Sequence, residues 1–186
     1  MTHQFYIELE KSSPLVWRRI TLPSTLSLYK FHLAIQGALG WKNSHLFEFI
    51  LGTRPATTRY GPPNPSDPDP ELIDARKIAV NTVFTADGQL SRYLYDFGDY
   101  WMHGVTLEKI TPEDTPSPRC LDGAAACPPE DVGGIHGYED MLEAMAIPGT
   151  KEANHYRKWL RLPKDAHWDS AFFDLAAANR RLALLK

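Results

Sequence analysis

Long apolar runs, an export signal and a set of cysteines are all missing from this sequence. No stretch approaches the roughly 18 apolar residues of a membrane-spanning helix, and the opening segment MTHQFYIELEKSS has no basic region followed by an apolar one. Two cysteines in 186 residues are too few for a disulfide framework. We therefore expect a cytoplasmic protein with no membrane segment, in which Cys120 and Cys127 are reduced thiols.

An excess of positive charge is also missing. The chain has 20 Lys and Arg against 23 Asp and Glu, for a formal net charge of -3. Sequence-independent binding to DNA or RNA relies on a broad basic field, which this composition does not supply, although a local basic patch remains compatible with it. The hydrophobic share of 43% is ordinary for a globular protein, and the length suits one domain, so we expect a single domain over residues 1–186.

The first 51 residues predict a hairpin, a helix and a strand, in that order. Apolar and polar residues alternate over residues 5–10, and LVWRRI follows a KSSP turn, which indicates two paired strands. Ser27 is a suitable N-cap for a helix with apolar residues at helical spacing, and Gly40 suits the position just past its end. HLFEFIL (residues 45–51) is short and apolar enough for a buried strand.

A proline-rich segment, GPPNPSDPDP, occupies residues 61–70 and holds five prolines. Proline lacks a backbone N–H and disrupts helices and central strands, so this segment predicts a surface insertion near residues 52–70. The stretches Val80 to Phe84 and Arg92 to Phe97 are predicted as strands. They are too few to build a second core, so they should rejoin the first sheet.

The last third of the chain predicts helices. Apolar residues recur at helical spacing from Tyr138 to Met145, a second stretch runs from Glu152 to Leu160, and Asp169 is a plausible N-cap for a third. The predicted fold class is therefore α+β, with a mainly antiparallel sheet that opens with hairpin, helix and strand, and a helical C-terminal third.

Carboxylates, aromatics and histidines concentrate at one predicted hairpin. In YLYDFGDYWMHGVTLEKI (residues 93–110) the chain turns near Gly98, and the PEDVGG turn of a long loop adds two more acids. Carboxylates with imidazole can hold a divalent cation or act as acid and base, but such acids also cap turns, and both interpretations stay open. The residues of the candidate ligand site are Asp96, Asp99, Trp101, His103, Glu130, Asp131 and His45.

The two cysteines raise the question of zinc. Cys120 and Cys127 are separated by six residues, whereas structural zinc sites usually place two to four residues between paired ligands. His103 or His136 could contribute to such a site. We expect the thiols to be metal-free, and the sequence predicts no cofactor.

Four motifs together resemble a known family. PLVWRRI, GWKNSHLFEF, YLYDFGDYWMHGVTLEK and PRCLDGAAACPPEDVGGIHGYEDMLEAM occur in the order found in the plasmid pRiA4b ORF-3-like proteins, which are also met as passenger proteins of IS1096-type mobile elements. The resemblance covers nearly the whole chain. The resemblance implies an α+β domain encoded on plasmids or mobile elements. It does not imply any catalytic residue.

Two functions remain open at this point. The first is a non-catalytic accessory or binding domain that recognises a protein or nucleic acid partner, favoured because no nucleophile, base and orienting group share a recognisable spacing. The second is a metal-assisted enzyme, a hydrolase, that uses the cluster of Asp, Glu and His.

Overall fold

A computed structural model describes residues 1–53, 55–163 and 168–185. The strands of this part of the chain are β1 (Thr2–Leu9), β2 (Trp17–Pro23), β3 (Phe47–Thr53), β4 (Ala56–Gly61), β5 (Leu72–Asp74), β6 (Leu90–Tyr95), β7 (Trp101–Thr111) and β8 (Arg119–Ala124). The helices are α1 (Leu28–Leu39), α2 (Val80–Val83), α3 (Gly134–Met145), α4 (Lys151–Trp159) and α5 (Leu175–Leu182). No helix in these ranges is both long and apolar enough to cross a membrane.

Local sequence explains the first elements. Alternation in β1 places Phe5, Ile7 and Leu9 in the core, where all three are buried. At the start of α1 the Ser27 side chain accepts a hydrogen bond from the backbone N–H of Lys30. The helix ends at Gly40, whose left-handed φ of 97° costs glycine little.

All eight strands form one mixed sheet. Their order across the sheet is β5-β4-β3-β6-β7-β1-β2-β8. Helix α1 packs beside β2 and α5, and its apolar face adds Leu28, Phe31 and Ile35 to the core. At one edge, the side chain of Asn179 on α5 bonds both the N–H and the C=O of Cys120, which gives β8 partners on its outer side.

The predicted fold class is wrong. The sheet is mixed, because β4 and β5 run parallel with Arg59 opposite Leu72 and Gly61 opposite Asp74. The prolines of residues 62–70 cannot donate ladder hydrogen bonds, so the chain does not turn straight back but returns to begin β5 alongside β4.

The C-terminal third is also not the helical block that the prediction describes. Helices α3, α4 and α5 have only 12, 9 and 8 residues, and loops separate them. The segment Pro148–Gly149 follows the end of α3, and α5 begins after Asp174 rather than Asp169. Asp169 instead accepts the N–H of Ala171 in a local turn, which competes with helix initiation.

One predicted strand is a helix. The stretch Val80 to Phe84 contains α2, in which the N–H of Phe84 donates to the carbonyl of Val80 at 2.9 Å. Val80 is buried and its N–H donates to the carbonyl of Leu26, just before α1, so contacts with a distant segment outweigh the strand preference of its branched side chain. The single-domain organisation, with its insertion near residues 52–70, stays a prediction.

Candidate metal centre

Three loops meet at one end of the sheet. The segment between α1 and β3 (residues 40–46) lies beside the turn between β6 and β7, because the N–H of Asp96 donates to the carbonyl of Leu46 at 2.9 Å. The turn itself closes where the N–H of Tyr100 donates to the carbonyl of Asp96 at 2.7 Å. The third loop, residues 125–133, joins β8 to α3 and carries the PEDVGG sequence.

Asp99 fastens the β6–β7 turn to the third loop. Its Oδ2 accepts the N–H of Gly133 at 3.1 Å. Gly134 packs so closely on the same aspartate that a Cβ there would lie 2.5 Å from the backbone oxygen of Asp99. Asp99 therefore has a structural partner, and the third loop is held against the hairpin.

Glu130 fastens the third loop to the other two. Its carboxylate accepts the phenolic O–H of Tyr95 at 2.6 Å and the N–H of Lys42 at 3.1 Å. Burial and the bond to Glu130 both raise the pKa of Tyr95, so its hydroxyl stays protonated and acts as a donor. The hydroxyl also accepts the N–H of Ser44 at 2.9 Å, which fixes the loop that carries His45.

His45, Asp96 and Asp131 come together between these loops. The Nε2 atom of His45 lies 3.1 Å from Oδ1 of Asp131 and 3.5 Å from Oδ2 of Asp96. The other oxygen of Asp96 accepts the N–H of Gly98 at 2.9 Å, which orients the carboxylate toward His45. We call these three residues the His45 cluster.

The histidine nitrogen at the centre of this cluster has no hydrogen-bond partner among the described residues. Nε2 of His45 is shielded from solvent, and although both carboxylates lie within ion-pair distance, neither forms a hydrogen bond with it. A polar atom left this way costs about 1–3 kcal/mol, so the arrangement needs a physical reason. Asp96 and Asp131 also adopt left-handed φ values of 56° and 64°, which are uncommon for residues other than glycine.

The His45 cluster fits a divalent cation. One ligand atom from each residue lies within 4.8 Å of the other two, and no other group of three or more His, Cys, Asp or Glu in the described ranges does so. Ligands bonded to one ion at about 2.0–2.4 Å are necessarily this close to each other. Carboxylate oxygens with one imidazole suit Mn²⁺ or Zn²⁺.

The four residues weighed for zinc lie apart from such a cluster. Cys120 is buried on β8, beside β2, and burial raises the pKa of its thiol and that of Cys127, which favours the neutral form over a metal-binding thiolate. His136 is on the surface, next to Glu139 at 3.3 Å.

Two other predicted site residues lie in the core. Trp101 and His103 are fully buried, and Nδ1 of His103 is 3.0 Å from the carbonyl of Trp101. Burial lowers the pKa of His103 to about 4, so the ring is neutral at physiological pH. The structure thus brings His45, Asp96 and Asp131 together, gives Asp99 and Glu130 backbone or tyrosine partners, and places Trp101 and His103 inside the protein.

A cleft of about 570 Å³ opens beside the His45 cluster. Asp131 belongs to both the cluster and the cleft, so a cation held by the cluster would face this opening. Its lining includes Lys42, Cys127, Glu130, Asp131, Trp159 and Arg161. This is the size of cavity that binds small molecules in other proteins.

Sequence reasoning missed several of these residues. Tyr95 is adjacent to Asp96 in the quoted hairpin, but nothing in the sequence distinguishes it from the other aromatics there. Trp159 lies in the helical stretch predicted at residues 152–160 and Arg161 follows it, and no local pattern connects either residue with the loop at residues 125–133. Only the packing of α4 brings them to the cleft.

The fold and the arrangement of these loops define a protein with one mixed sheet, several helices and a polar site at the sheet end. A family model described as "Plasmid pRiA4b ORF-3-like protein" matches residues 1–177. The chain belongs to this family, which confirms the resemblance seen in its motifs.

Two proteins are similar to nearly the whole chain. The chain is 37% identical over 175 residues to "Uncharacterized protein y4hQ" of Sinorhizobium fredii (strain NBRC 101917 / NGR234), which covers 93% of this chain and 84% of the relative. It also resembles the crystal structure of a protein of unknown function, MM3350 from Methanosarcina mazei Go1, with a TM-score of 0.80 and 31% identity. That match covers 94% of this chain and 96% of the other.

Proposed function

We propose that this protein binds a divalent cation through His45, Asp96 and Asp131 and acts as a metal-assisted hydrolase. The observation that carries the proposal is the shielded Nε2 of His45, which faces two carboxylate oxygens at 3.1 and 3.5 Å without a hydrogen bond. A cation between these atoms would give each of them a partner. It would also offset the repulsion between the two aspartates.

The number and exposure of the ligands favour catalysis over a structural role. Structural zinc sites are closed by four protein ligands, whereas catalytic sites use three and leave a position open. The side chain of Asp131 is 69% exposed and borders the cleft, so the open position would face solvent. A divalent cation there supplies Lewis acidity and makes bound water more acidic.

The surrounding residues position the ligands. Gly98 orients Asp96, while Tyr95 and Ser44 hold the loop that carries His45. Glu130 is already engaged by Tyr95 and Lys42, so it supports the site rather than serving as a free base. This division assigns cation binding to the His45 cluster and positioning to its neighbours.

The test is cation binding by protein stripped with a chelator. Mn²⁺, Zn²⁺, Mg²⁺ and Ca²⁺ are added separately, and the melting temperature is recorded. A cation at a hundredfold excess over its Kd should stabilise the fold by about 2.7 kcal/mol, which raises the Tm by roughly 5–10 °C in a protein of this size. We expect the shift with Mn²⁺ or Zn²⁺.

Asp131→Asn is the informative variant because its side chain is largely exposed and the fold should tolerate the change. We expect it to lose the Tm shift. Asp140→Asn, on the exposed surface of α3, is the matched control and should keep it. The proposal is wrong if none of the four cations stabilises the wild-type protein, or if the Asp131 variant responds as the wild type does.

A second candidate function is an accessory domain of plasmids and mobile elements that recognises a protein or nucleic acid partner. Phe97 and Tyr100 favour it, because both aromatics at the β6–β7 turn are about half exposed, at 48% and 58%. Exposed aromatics of this kind anchor protein interfaces. Pull-down with purified candidate partners encoded beside the gene tests it: Phe97→Ser with Tyr100→Ser should abolish capture, while Leu90→Ser, at the other end of β6, should not.

A further inference from the structure

We propose that the cleft beside the His45 cluster binds a nucleotide, and that it does so only when the cation is bound. The proposal rests on the proposed cation site and adds the class of ligand that the site would take. Three properties of the cleft support it: the cationic side chains on its wall, an exposed indole, and the charge balance around Asp131.

Two cationic residues line the cleft, and neither side chain has a carboxylate partner in the described part of the chain. Lys42 lies on the loop that carries His45, and Arg161 lies just past the end of α4. The other arginines of this region are engaged, since Arg157 donates to the carbonyl of Pro163 and Arg181 to that of Gly37. Unpaired ammonium and guanidinium groups in a concavity suit phosphate oxygens.

An aromatic side chain supplies a surface for a planar ring. Trp159 ends α4 and lines the cleft, and 42% of the residue is exposed. Tyr156 meets it nearly edge-on, at 75° between the rings and 6.4 Å between centroids. Stacking of a nucleobase on an indole contributes about 1–3 kcal/mol and tolerates different bases.

The charges explain why the cation should be required. Asp96, Asp131 and Glu130 contribute three negative charges around the site, against the two positive charges of Lys42 and Arg161. Without a cation this region carries an excess negative charge and repels a phosphate. A divalent cation reverses the sign and can also bond phosphate oxygens directly, as it does in nucleotide-binding enzymes.

The volume is consistent with the size of such a ligand. A cleft of about 570 Å³ lies within the range of roughly 300–1,000 Å³ seen for small-molecule sites. The cation end, at Asp131, would hold the phosphates. Trp159 would then contact the base.

The experiment titrates ADP, pyrophosphate and adenosine into the protein, each with and without saturating Mn²⁺, and records heat and tryptophan fluorescence. Binding of Mn²⁺ alone is measured first by the electron paramagnetic resonance signal of free Mn²⁺. We expect ADP to bind at least tenfold more tightly with Mn²⁺ than without it. Pyrophosphate should bind more weakly than ADP, and adenosine more weakly still.

Variants assign the contacts. Arg161→Ala should weaken both ADP and pyrophosphate at least tenfold, whereas Trp159→Leu should weaken ADP and leave pyrophosphate unchanged. Lys158→Ala, an exposed cation next to Trp159 that does not line the cleft, is the control and should change neither. All three variants should bind Mn²⁺ alone as the wild type does.

The outcomes separate the two proposals. If Mn²⁺ binds but ADP does not, or if ADP binds equally well to the Arg161 and Trp159 variants, the nucleotide proposal is overturned and the cation site stands. If Mn²⁺ does not bind, the nucleotide proposal is overturned, and the cation site is overturned as well when Zn²⁺, Mg²⁺ and Ca²⁺ also leave the Tm unchanged. In Asp131→Asn, ADP affinity should be the same with and without Mn²⁺, and a retained Mn²⁺ effect would contradict the assigned site.

Discussion

Arg18 and Arg19 are neighbours in β2, but their side chains lie on opposite faces of the sheet. Successive strand residues point to opposite faces, so Arg19 reaches the open face and pairs with Glu108 at 2.7 Å, while Arg18 points into the core. Arg18 is 2% exposed and donates to the carbonyls of Trp17, Ala38, Ala124 and Ala125. Its guanidinium also lies 3.8 Å from the ring centre of Phe173.

Replacing Arg18 with methionine should therefore destabilise the protein strongly. Carbonyls at the ends of α1 and β8 would lose their donors while buried, and we expect a loss of about 3–5 kcal/mol in the free energy of unfolding. Urea unfolding followed by circular dichroism measures it. Arg92→Met is the control, because Arg92 is exposed and pairs with Glu10 at 3.3 Å, and it should cost less than about 1 kcal/mol. Equal losses in the two variants would contradict the structural role of Arg18.

The β6–β7 turn and the loop before α3 act as one unit. Asp99 bonds Gly133, Gly134 packs on the backbone of Asp99, and the same loop presents Asp131 to His45. The position of Asp131, one of the three proposed cation ligands, thus depends on the contact between the β6–β7 turn and the loop before α3. A change at that contact should affect both stability and cation binding.

Gly134→Ala tests this dependence. A Cβ would lie 2.5 Å from the oxygen of Asp99 at a φ of +70°, so backbone must move. We expect a loss of roughly 2–4 kcal/mol in unfolding free energy, together with weaker Mn²⁺ binding. Gly149→Ala is matched, since its φ is +89° but nothing lies within 4 Å of the added atom. It should cost about 1–2 kcal/mol and leave Mn²⁺ binding unchanged. If both variants bind Mn²⁺ as the wild type does, cation binding does not depend on the contact between Gly134 and Asp99.

Stability of the whole molecule should depend on pH through two buried histidines. His32 bonds Tyr93 and Asn43, each at 2.7 Å, and the ring of His103 meets that of Trp41 nearly at right angles. Burial lowers the pKa of each ring to about 4, from an ordinary value of 6.5. The unfolded chain therefore takes up protons before the folded protein does. The stabilisation is complete above pH 6.5 and is lost as the pH falls toward 4.

Urea unfolding at pH values from 7.5 to 4.5 measures this effect. Each histidine should contribute a slope of up to about 1.4 kcal/mol per pH unit below 6.5. Because carboxylates also titrate in this range, the comparison is between variants: His103→Gln should show a shallower decline than the wild type. His136→Gln alters a side chain that is 96% exposed and should leave the decline unchanged. Parallel profiles for the wild type and the His103 variant would refute the prediction.

The sequence by itself determined the features that depend on neighbours along the chain. Ser27 and Gly40 bound α1 through hydrogen bonds and backbone angles that involve only nearby residues. Alternation placed Phe5, Ile7 and Leu9 on one side of β1, and four motifs gave the family. Such features follow from local geometry, which has the same period wherever a helix or strand lies in a fold.

Only the tertiary structure decided the features that join distant segments. Val80 lies in a helical turn whose first N–H donates to the distant carbonyl of Leu26, and β5 pairs with β4 in parallel because of where the chain re-enters the sheet. The sequence predicted one candidate site that contained His45, Asp96 and Asp131 together with Asp99 and Glu130. It could not distinguish the residues that cluster around His45 from those that hold the loops together. Their roles differ because the order of the strands decides which loops meet at the end of the sheet. There a backbone N–H bonds Asp99 and a tyrosine hydroxyl bonds Glu130, whereas Asp96 and Asp131 face His45.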